Sequence, residues 1–224
     1  LRIWDRQAAD RVDEFVAISE TVRSRIQKYY KKDAKVVYPP VPELPEGNHE
    51  RPMKKEYYII VSRLFPHKNI DIAIDAFNKL GFELVIIGDG PVRKELRSIA
   101  GKNIHFLGHI SDNAVATYYR HAKAFIMPQE EDFGLTPIEA MRFGVPTLAL
   151  RKGGALETIR EGMTGEFFDD PIPEALADGV RRLNENYRNY RPDLIKSHAK
   201  NFSKEIFKKQ ILELVKISAG LTNI

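Results

Sequence analysis

Short, largely apolar runs recur along this chain, and helical periodicity fills the spaces between them. The runs are Tyr57–Val61, Phe82–Ile87, Ile104–Leu107, Ala124–Met127 and Val145–Leu150. Between them, Ile70–Leu80, Val92–Ala100, Asn113–His121 and Pro137–Phe143 repeat apolar residues at three- and four-residue steps. Strands apolar on both sides and separated by helices predict a parallel sheet covered on both faces. The expected fold class is α/β, a Rossmann-like, doubly wound parallel sheet. Ligands of such sheets bind outside the carboxyl ends of the strands. The loops that follow each run are therefore where chemistry is to be sought.

The flanks read differently. A helix is expected over 1–13, a short strand over Glu14–Ile18, and a second helix capped by Ser19 and running to Tyr30. Lys35–Tyr38 looks extended, and Pro39, Pro40, Pro42, Pro45 and Gly47 then mark a linker. Thr164–Phe168 is the last strand, and the chain is helical from Pro171. An amphipathic helix opened by Asn201-Phe202-Ser203 closes it through Ile206, Ile211, Leu212 and Val215. The expected divisions are 1–38, a linker at 39–55, the sheet domain at 56–200 and the closing helix at 201–224.

Composition narrows the possibilities. The chain is 43% apolar, without a run of eighteen apolar residues or an N-terminal leader pattern, so a cytoplasmic site of action is expected. It has no cysteine, which excludes disulfides, thiolate metal sites and a thiol nucleophile. It begins at Leu1, and is expected to be a piece of a longer protein or a processed form. The net charge is +4, with basic residues gathered at Arg23, Arg25, Lys28, Lys31, Lys32 and Lys35 and again at Lys204, Lys208 and Lys209. No aromatic-interleaved RNA motif or zinc-finger spacing accompanies them, so no nucleic acid partner is expected. Tyr29 and Tyr30 beside the lysines suit peripheral contact with an anionic membrane. His67, His105, His109 and His121 lack metal-ligand spacing and there is no Asp-x-Asp pair, so no metal or other cofactor is expected.

The post-strand loops carry the candidate chemistry. After Met127 comes Pro128, which ends the strand, then Gln129-Glu130-Glu131-Asp132-Phe133-Gly134-Leu135-Thr136-Pro137-Ile138-Glu139. Thr136 reads as an N-cap, Pro137 as the first helical residue and Glu139 as the far half of a capping box. A helix starting there offers an anion site, with the carboxylates of Glu131 and Glu139 on either side. After Val61, Arg63 and Lys68 share one loop, and two fixed cations suit a diphosphate. After Ile87, Gly88-Asp89-Gly90-Pro91 turns tightly into a helix opened by Pro91. Arg93 stands where the dinucleotide fingerprint has its third glycine, which argues against NAD. After Leu107 comes Gly108-His109-Ile110-Ser111-Asp112, where Ser111 is the next cap. After Leu150 comes Arg151-Lys152-Gly153-Gly154-Ala155-Leu156-Glu157, whose glycines permit close backbone approach.

Glu131 and Glu139 enclose Asp-Phe-Gly-Leu-Thr-Pro-Ile, and this resembles the E-x7-E motif of the family 4 retaining glycosyltransferases, which have the two-domain GT-B fold. Ser62-Arg63 followed by Lys68, the Gly88-Asp89-Gly90 turn and the Gly153-Gly154 turn resemble the same family in order and spacing, with Asn69 standing where many members have Gly. The resemblance implies that Glu139 holds the ribose of a nucleotide-sugar and Glu131 meets the sugar. Arg63 and Lys68 would clamp the diphosphate, so that Glu131, Arg63 and Lys68 form the catalytic set. It further implies sugar and phosphate contacts from Asp132, Phe133, Gly134, Leu135 and Thr136. Gly88, Asp89, His109 and Ile110 would lie near the nucleotide, and Asp112 is either a guanine acceptor or a first-turn carboxylate. Trp4-Asp5, Arg11-Val12-Asp13, Ser19 and Lys28-Tyr29-Tyr30 leading to Tyr38-Pro39-Pro40-Val41 are similar to the mannosyltransferases of O-antigen and lipopolysaccharide assembly, which implies GDP-mannose as donor. By the same comparison, residues 1–38 are the tail of an N-terminal acceptor domain that is mostly missing here, along with the pocket for a glycan or glycolipid acceptor. The isolated chain is then expected to bind donor without transferring sugar. Other GT-B chemistry such as epimerisation, or a non-catalytic nucleotide-binding or interaction module, are the competing readings.

Overall fold

A computed structural model describes residues 2–50, 52–54 and 56–220, so Leu1, two positions of the expected linker and the end of the closing segment lie outside the described residues. In chain order the elements begin with α1 (Arg2–Ala9), β1 (Val16–Ala17), α2 (Glu20–Tyr30) and β2 (Lys35–Val36). There follow β3 (Tyr57–Val61), α3 (Ile70–Leu80), β4 (Glu83–Ile87), α4 (Arg93–Ile99), β5 (Ile104–Gly108), α5 (Asp112–His121) and β6 (Ala124–Met127). The last are α6 (Leu135–Arg142), β7 (Thr147–Leu150), α7 (Ala155–Thr158), β8 (Gly165–Phe168), α8 (Pro173–Glu185), α9 (Pro192–Ala199) and α10 (Lys204–Ser218). The chain divides into two compact units, residues 1–41 with 201–224, and residues 42–200.

In the larger unit the strands form one parallel sheet in the order β5-β4-β3-β6-β7-β8. This is the doubly wound α/β arrangement that the alternating runs predict. Ile59, Leu84, Val85, Ile86, Ile126 and Leu148 are fully buried, because helices cover both faces of the central strands; the edge strand β5 is partly exposed, from His105 to Leu107. Sequence order reverses between β3 and β6. Their pairing consists of Tyr58↔Ala124 and Ile59↔Phe125, so Ile60–Val61 and Ile126–Met127 run on without pairing to each other. The sheet is open at its carboxyl edge where the winding changes direction, which is where such folds hold ligands. Residues 46–48 of the Pro-rich stretch are fastened to α5: the Asn48 N–H donates to Thr117 Oγ1 at 2.8 Å, and Arg120 donates to the Glu46 carbonyl.

In the smaller unit β1 and β2 pair in parallel, and Ser19 caps α2 by accepting from the Val22 N–H at 3.0 Å. The expected first helix is shorter than 1–13, because the chain turns at Asp10 and Arg11. Ser203 caps α10, but the apolar stripe predicted on it is uncovered: Leu212 and Val215 are 49% and 57% exposed. No helix among the described residues is long and apolar enough to cross a membrane.

Candidate functional site

At the switch point the loops after β3 and β6 meet. Pro66 to Lys68 form one 3-10 turn that carries Lys68 inward, and Asn69 takes a left-handed conformation (φ 51°) to start α3. The Asn69 amide donates to the Pro128 carbonyl at 3.3 Å, tying the two loops. Lys68 is 9% exposed, and its Nζ lies 2.5 Å from Glu131 Oε1. A second donor reaches the same oxygen, Gln129 Nε2 at 2.9 Å. One carboxylate oxygen is thus held by a buried ammonium and a buried amide, while the Glu131 side chain keeps 28% of its surface exposed. Arg63, the other cation of that loop, is exposed and lies over the Phe65 ring at 5.7 Å.

Glu139 is one helical turn further on, and here the structure corrects the sequence expectation. Gly134, at φ 87°, is the N-cap of α6, Leu135 is its first residue, and no side chain caps the helix. Thr136 and Pro137 therefore sit inside the first turn, and the Thr136–Glu139 capping box does not form. The physical reason is the left-handed glycine, which starts the helix two residues early and leaves the Glu139 carboxylate free to turn toward α5. There it accepts from the Tyr119 hydroxyl at 3.0 Å. Burial pushes the Glu139 carboxyl above the usual carboxylate range. The Tyr119 O–H pulls it back, the Asp112 charge raises it again and Arg142 lowers it. Tyr119 is fully buried, and burial together with Glu139 keeps its phenol protonated.

Asp112 is exposed in the first turn of α5, and its charge raises the Glu139 carboxyl. His109 is exposed and Ile110 half-buried just before it. Gly88 holds φ 127°, and a Cβ there would lie 1.9 Å from the Ser62 carbonyl oxygen, so the turns after β3 and β4 are in backbone contact. The Leu64 N–H donates to the Asp89 carbonyl at 2.9 Å. The Asp89 carboxylate is engaged locally, accepting from the Gly90 N–H at 2.8 Å and from Arg93 at 2.9 Å. The Asp89 side chain is thus committed to the turn, and Pro91 lies within that turn while the helix itself starts at Arg93.

Phe133 is buried, Asp132 and Leu135 are exposed, and Gly134 and Thr136 are intermediate. The Gly153-Gly154 turn packs under this loop. The Gly154 N–H donates to the Glu131 carbonyl at 2.8 Å, and Cβ atoms at Gly153 and Gly154 would each come within 2.3 Å of backbone at Glu131 and Phe133. That explains the glycine pair. Among the described residues no group of three or more His, Cys, Asp and Glu side chains is placed to hold a metal ion.

Two partners escaped the sequence reading. Gln129 is two residues before Glu131, and in extended chain i and i+2 share a side, a signal the sequence did contain. Tyr119 had none, because its bond to Glu139 joins α5 to α6 across the sheet edge.

A six-stranded parallel sheet in this order, flanked by helices, is the architecture of GT-B glycosyltransferases. Residues 45–202 match the family described as glycosyl transferases group 1, and the chain belongs to that family. It is 28% identical over 214 residues to an uncharacterized glycosyltransferase of Methanocaldococcus jannaschii, covering 91% of this chain and 59% of that protein. It is 27% identical over 208 residues to the GDP-mannose-dependent α-(1-6)-phosphatidylinositol monomannoside mannosyltransferase of Mycobacterium tuberculosis, covering 80% of this chain and 54% of that one. Sucrose-phosphate synthase from Thermosynechococcus elongatus superposes with a TM-score of 0.83 at 21% identity, over 99% of this chain and 62% of that one, which establishes the fold. The chain thus spans between half and three-fifths of the length of these curated relatives.

Proposed function

We propose that this chain is the donor-binding part of a retaining hexosyltransferase, and that the donor is GDP-mannose. The observation that carries the reading is the Lys68–Glu131 pair at the switch point, with Arg63 on the same loop: two cations for a diphosphate beside a carboxylate for sugar hydroxyls. The name of the Mycobacterium tuberculosis relative supports the choice of GDP-mannose. The remaining length of the protein supplies the acceptor pocket, and this chain alone binds donor without transferring sugar.

In the reaction the bond from the anomeric carbon to the diphosphate oxygen breaks. A bond to the acceptor oxygen forms on the same face, and the hydroxyl's proton passes to the departing diphosphate. Arg63 and Lys68 stabilise the charge that develops on the leaving group. Glu139 accepts from the ribose hydroxyls, backbone at His109 and Ile110 approaches the base, and Asp112 accepts from guanine. Amides of Leu135 and Thr136, free at the start of α6, donate to sugar and phosphate oxygens. Two cations and a helix end neutralise the diphosphate in place of a metal ion. The acceptor is a glycan or glycolipid at the cytoplasmic face of the membrane, and the exposed Lys28-Tyr29 edge of α2 makes a peripheral contact with it.

A thermal-shift panel of GDP, UDP, ADP and their sugar conjugates tests the reading. A ligand at a hundred times its Kd adds about 2.7 kcal/mol, roughly 5–11 °C for a chain of this size. Stabilisation by GDP species alone is expected; UDP or ADP stabilisation changes the donor, and no shift with any of them sinks the donor site.

Glu139→Gln separates ribose binding from structure. The variant keeps an acceptor for Tyr119 but gives up a charge-assisted bond of about 1.5–3 kcal/mol, so GDP binds ten- to a hundredfold more weakly. The pH dependence has a definite sign. Glu139's folded pKa is raised above its unfolded value, so its contribution to stability is present at acid pH and is lost as pH rises through the folded pKa. The unliganded variant is therefore more stable than wild type at neutral pH, and the two converge in acid. Wild-type GDP affinity falls as pH drops through the same pKa, while that of the variant stays flat. Equal GDP affinity of the two proteins at neutral pH defeats the ribose role.

A further inference from the structure

Resting on the donor-site reading, we infer that Gln129 is a positioning residue for Glu131, holding one carboxylate oxygen so that the other reads hydroxyls of the bound sugar. Three observations converge on it. Gln129 is 4% exposed, two residues past the end of β6. Its Nε2 donates to Glu131 Oε1, the same oxygen that takes Lys68. Its own Oε1 is buried and has no hydrogen-bond partner.

The third observation says what the side chain is for. An amide next to a carboxylate must present its NH2 group, so the carbonyl end has no choice but to face whatever lies on the other side. Here it faces nothing that donates. Buried acceptors in folded proteins are nearly all paired, and a position that leaves one unpaired trades stability for something else. An apolar side chain of the same length would remove the orphan. What it would lose is the bond to Glu131.

That bond matters most when donor is bound. A diphosphate draws Lys68 away from Glu131, because the ammonium then has a more highly charged partner. Glu131 would be left as a partly exposed carboxylate free to change rotamer. Gln129 is the donor that stays: neutral, buried and without the charge that draws Lys68 to phosphate. It keeps Oε1 tied and directs Oε2, which carries no bond among the described residues, to the glycosyl hydroxyls. Gln129 does not touch the substrate in this scheme; it acts through Glu131.

The test is Gln129→Met in the full chain, read by calorimetric titration with GDP and GDP-mannose, with UDP and UDP-glucose in parallel, and by thermal denaturation. Methionine conserves the volume and removes both polar ends. The expected result has three parts: the melting temperature is unchanged or higher, affinity for the bare nucleotide stays within about twofold, and the ratio of conjugate to nucleotide affinity falls about tenfold. A purely structural role gives the opposite pattern, a lower melting temperature with both affinities reduced alike, and overturns the inference. So does an unchanged ratio. Where Gln129→Met does not fold, Gln129→Glu serves. Two carboxylates then face each other, the ratio falls at about pH 8 and recovers at about pH 5, where the residue at 129 takes up a proton and again donates to Glu131. A flat profile overturns the inference. If wild-type protein binds neither nucleotide pair, the donor-site reading itself fails and the inference goes with it, an outcome distinct from a variant that binds normally.

Discussion

On the donor-site reading proposed above, Lys68→Ala is expected to weaken GDP binding by a hundred- to a thousandfold. The ammonium is 9% exposed and already desolvated in the unliganded chain, so a diphosphate entering the crevice meets a fixed charge rather than a hydrated, mobile one. Truncating one member of a buried, hydrogen-bonded charge pair costs about 2–5 kcal/mol, much of it from the partner charge left behind. In the unliganded protein that partner is Glu131, which then retains Gln129 alone. Lys68→Arg does not rescue binding, because a planar guanidinium does not fit where a single Nζ lies 2.5 Å from one oxygen. Glu131→Gln is the reciprocal control. It releases Lys68 from competition, so on the same reading GDP is expected to bind at least as tightly as to wild type, while GDP-mannose is expected to bind more weakly for want of the carboxylate proposed to read its hydroxyls. Calorimetry at two salt concentrations decides the matter, since an electrostatic clamp weakens with salt. GDP affinity of Lys68→Ala within twofold of wild type removes Lys68 from the diphosphate.

Gly88→Ala unfolds the crevice from the other side. A Cβ at position 88 lies 1.9 Å from the Ser62 carbonyl oxygen, and neither backbone is free to yield. The Ser62 N–H donates to the Ile87 carbonyl at 3.0 Å, and the Gly88 N–H donates to the Gly108 carbonyl at 2.8 Å, so both residues extend the sheet ladder. At φ 127° the backbone is also in a region that side chains rarely adopt. Together these predict a loss of about 3 kcal/mol or more, or roughly 6–12 °C in melting temperature. Gly162→Ala is the internal comparison. It too has a positive φ, 74°, but its Cβ meets nothing within 4 Å, so it loses only the left-handed penalty of about 1–2 kcal/mol. Equal melting temperatures for the two variants would show that the close approach of the β3 and β4 turns is not what requires glycine at 88.

The two substitutions also mark how far the sequence could be read. The tight turn at Gly88-Asp89-Gly90-Pro91 was legible, but not that Gly88 backs onto Ser62 in the neighbouring turn. The placement of Arg63 and Lys68 after β3, and of Glu131 and Glu139 around the start of α6, was legible too. The local capping signal around Thr136 was misleading. Thr136-Pro137-Ile138-Glu139 satisfies the capping-box pattern, but Gly134 can adopt φ 87° and the helix begins there instead. Two acceptable starts lay two residues apart, and local propensity does not choose between starts when packing of Ile138, Ala140 and Met141 against the sheet sets the helix's rotation.

What this sequence determines by itself is the series of strands and helices and the loops that carry polar chemistry, because hydrophobic period and turn residues act over a few positions. What only the tertiary structure decided is which of those loops face one another. The strand order puts β3 beside β6 although they are far apart in sequence, and the Lys123 N–H just before β6 donates to the Tyr57 carbonyl. That adjacency joins Lys68 to Glu131 and encloses Gln129, and the packing of α5 against the sheet hands Glu139 to Tyr119. Side chains acquire charge partners, burial and shifted pKa values only from such long-range neighbours, and no local pattern encodes them.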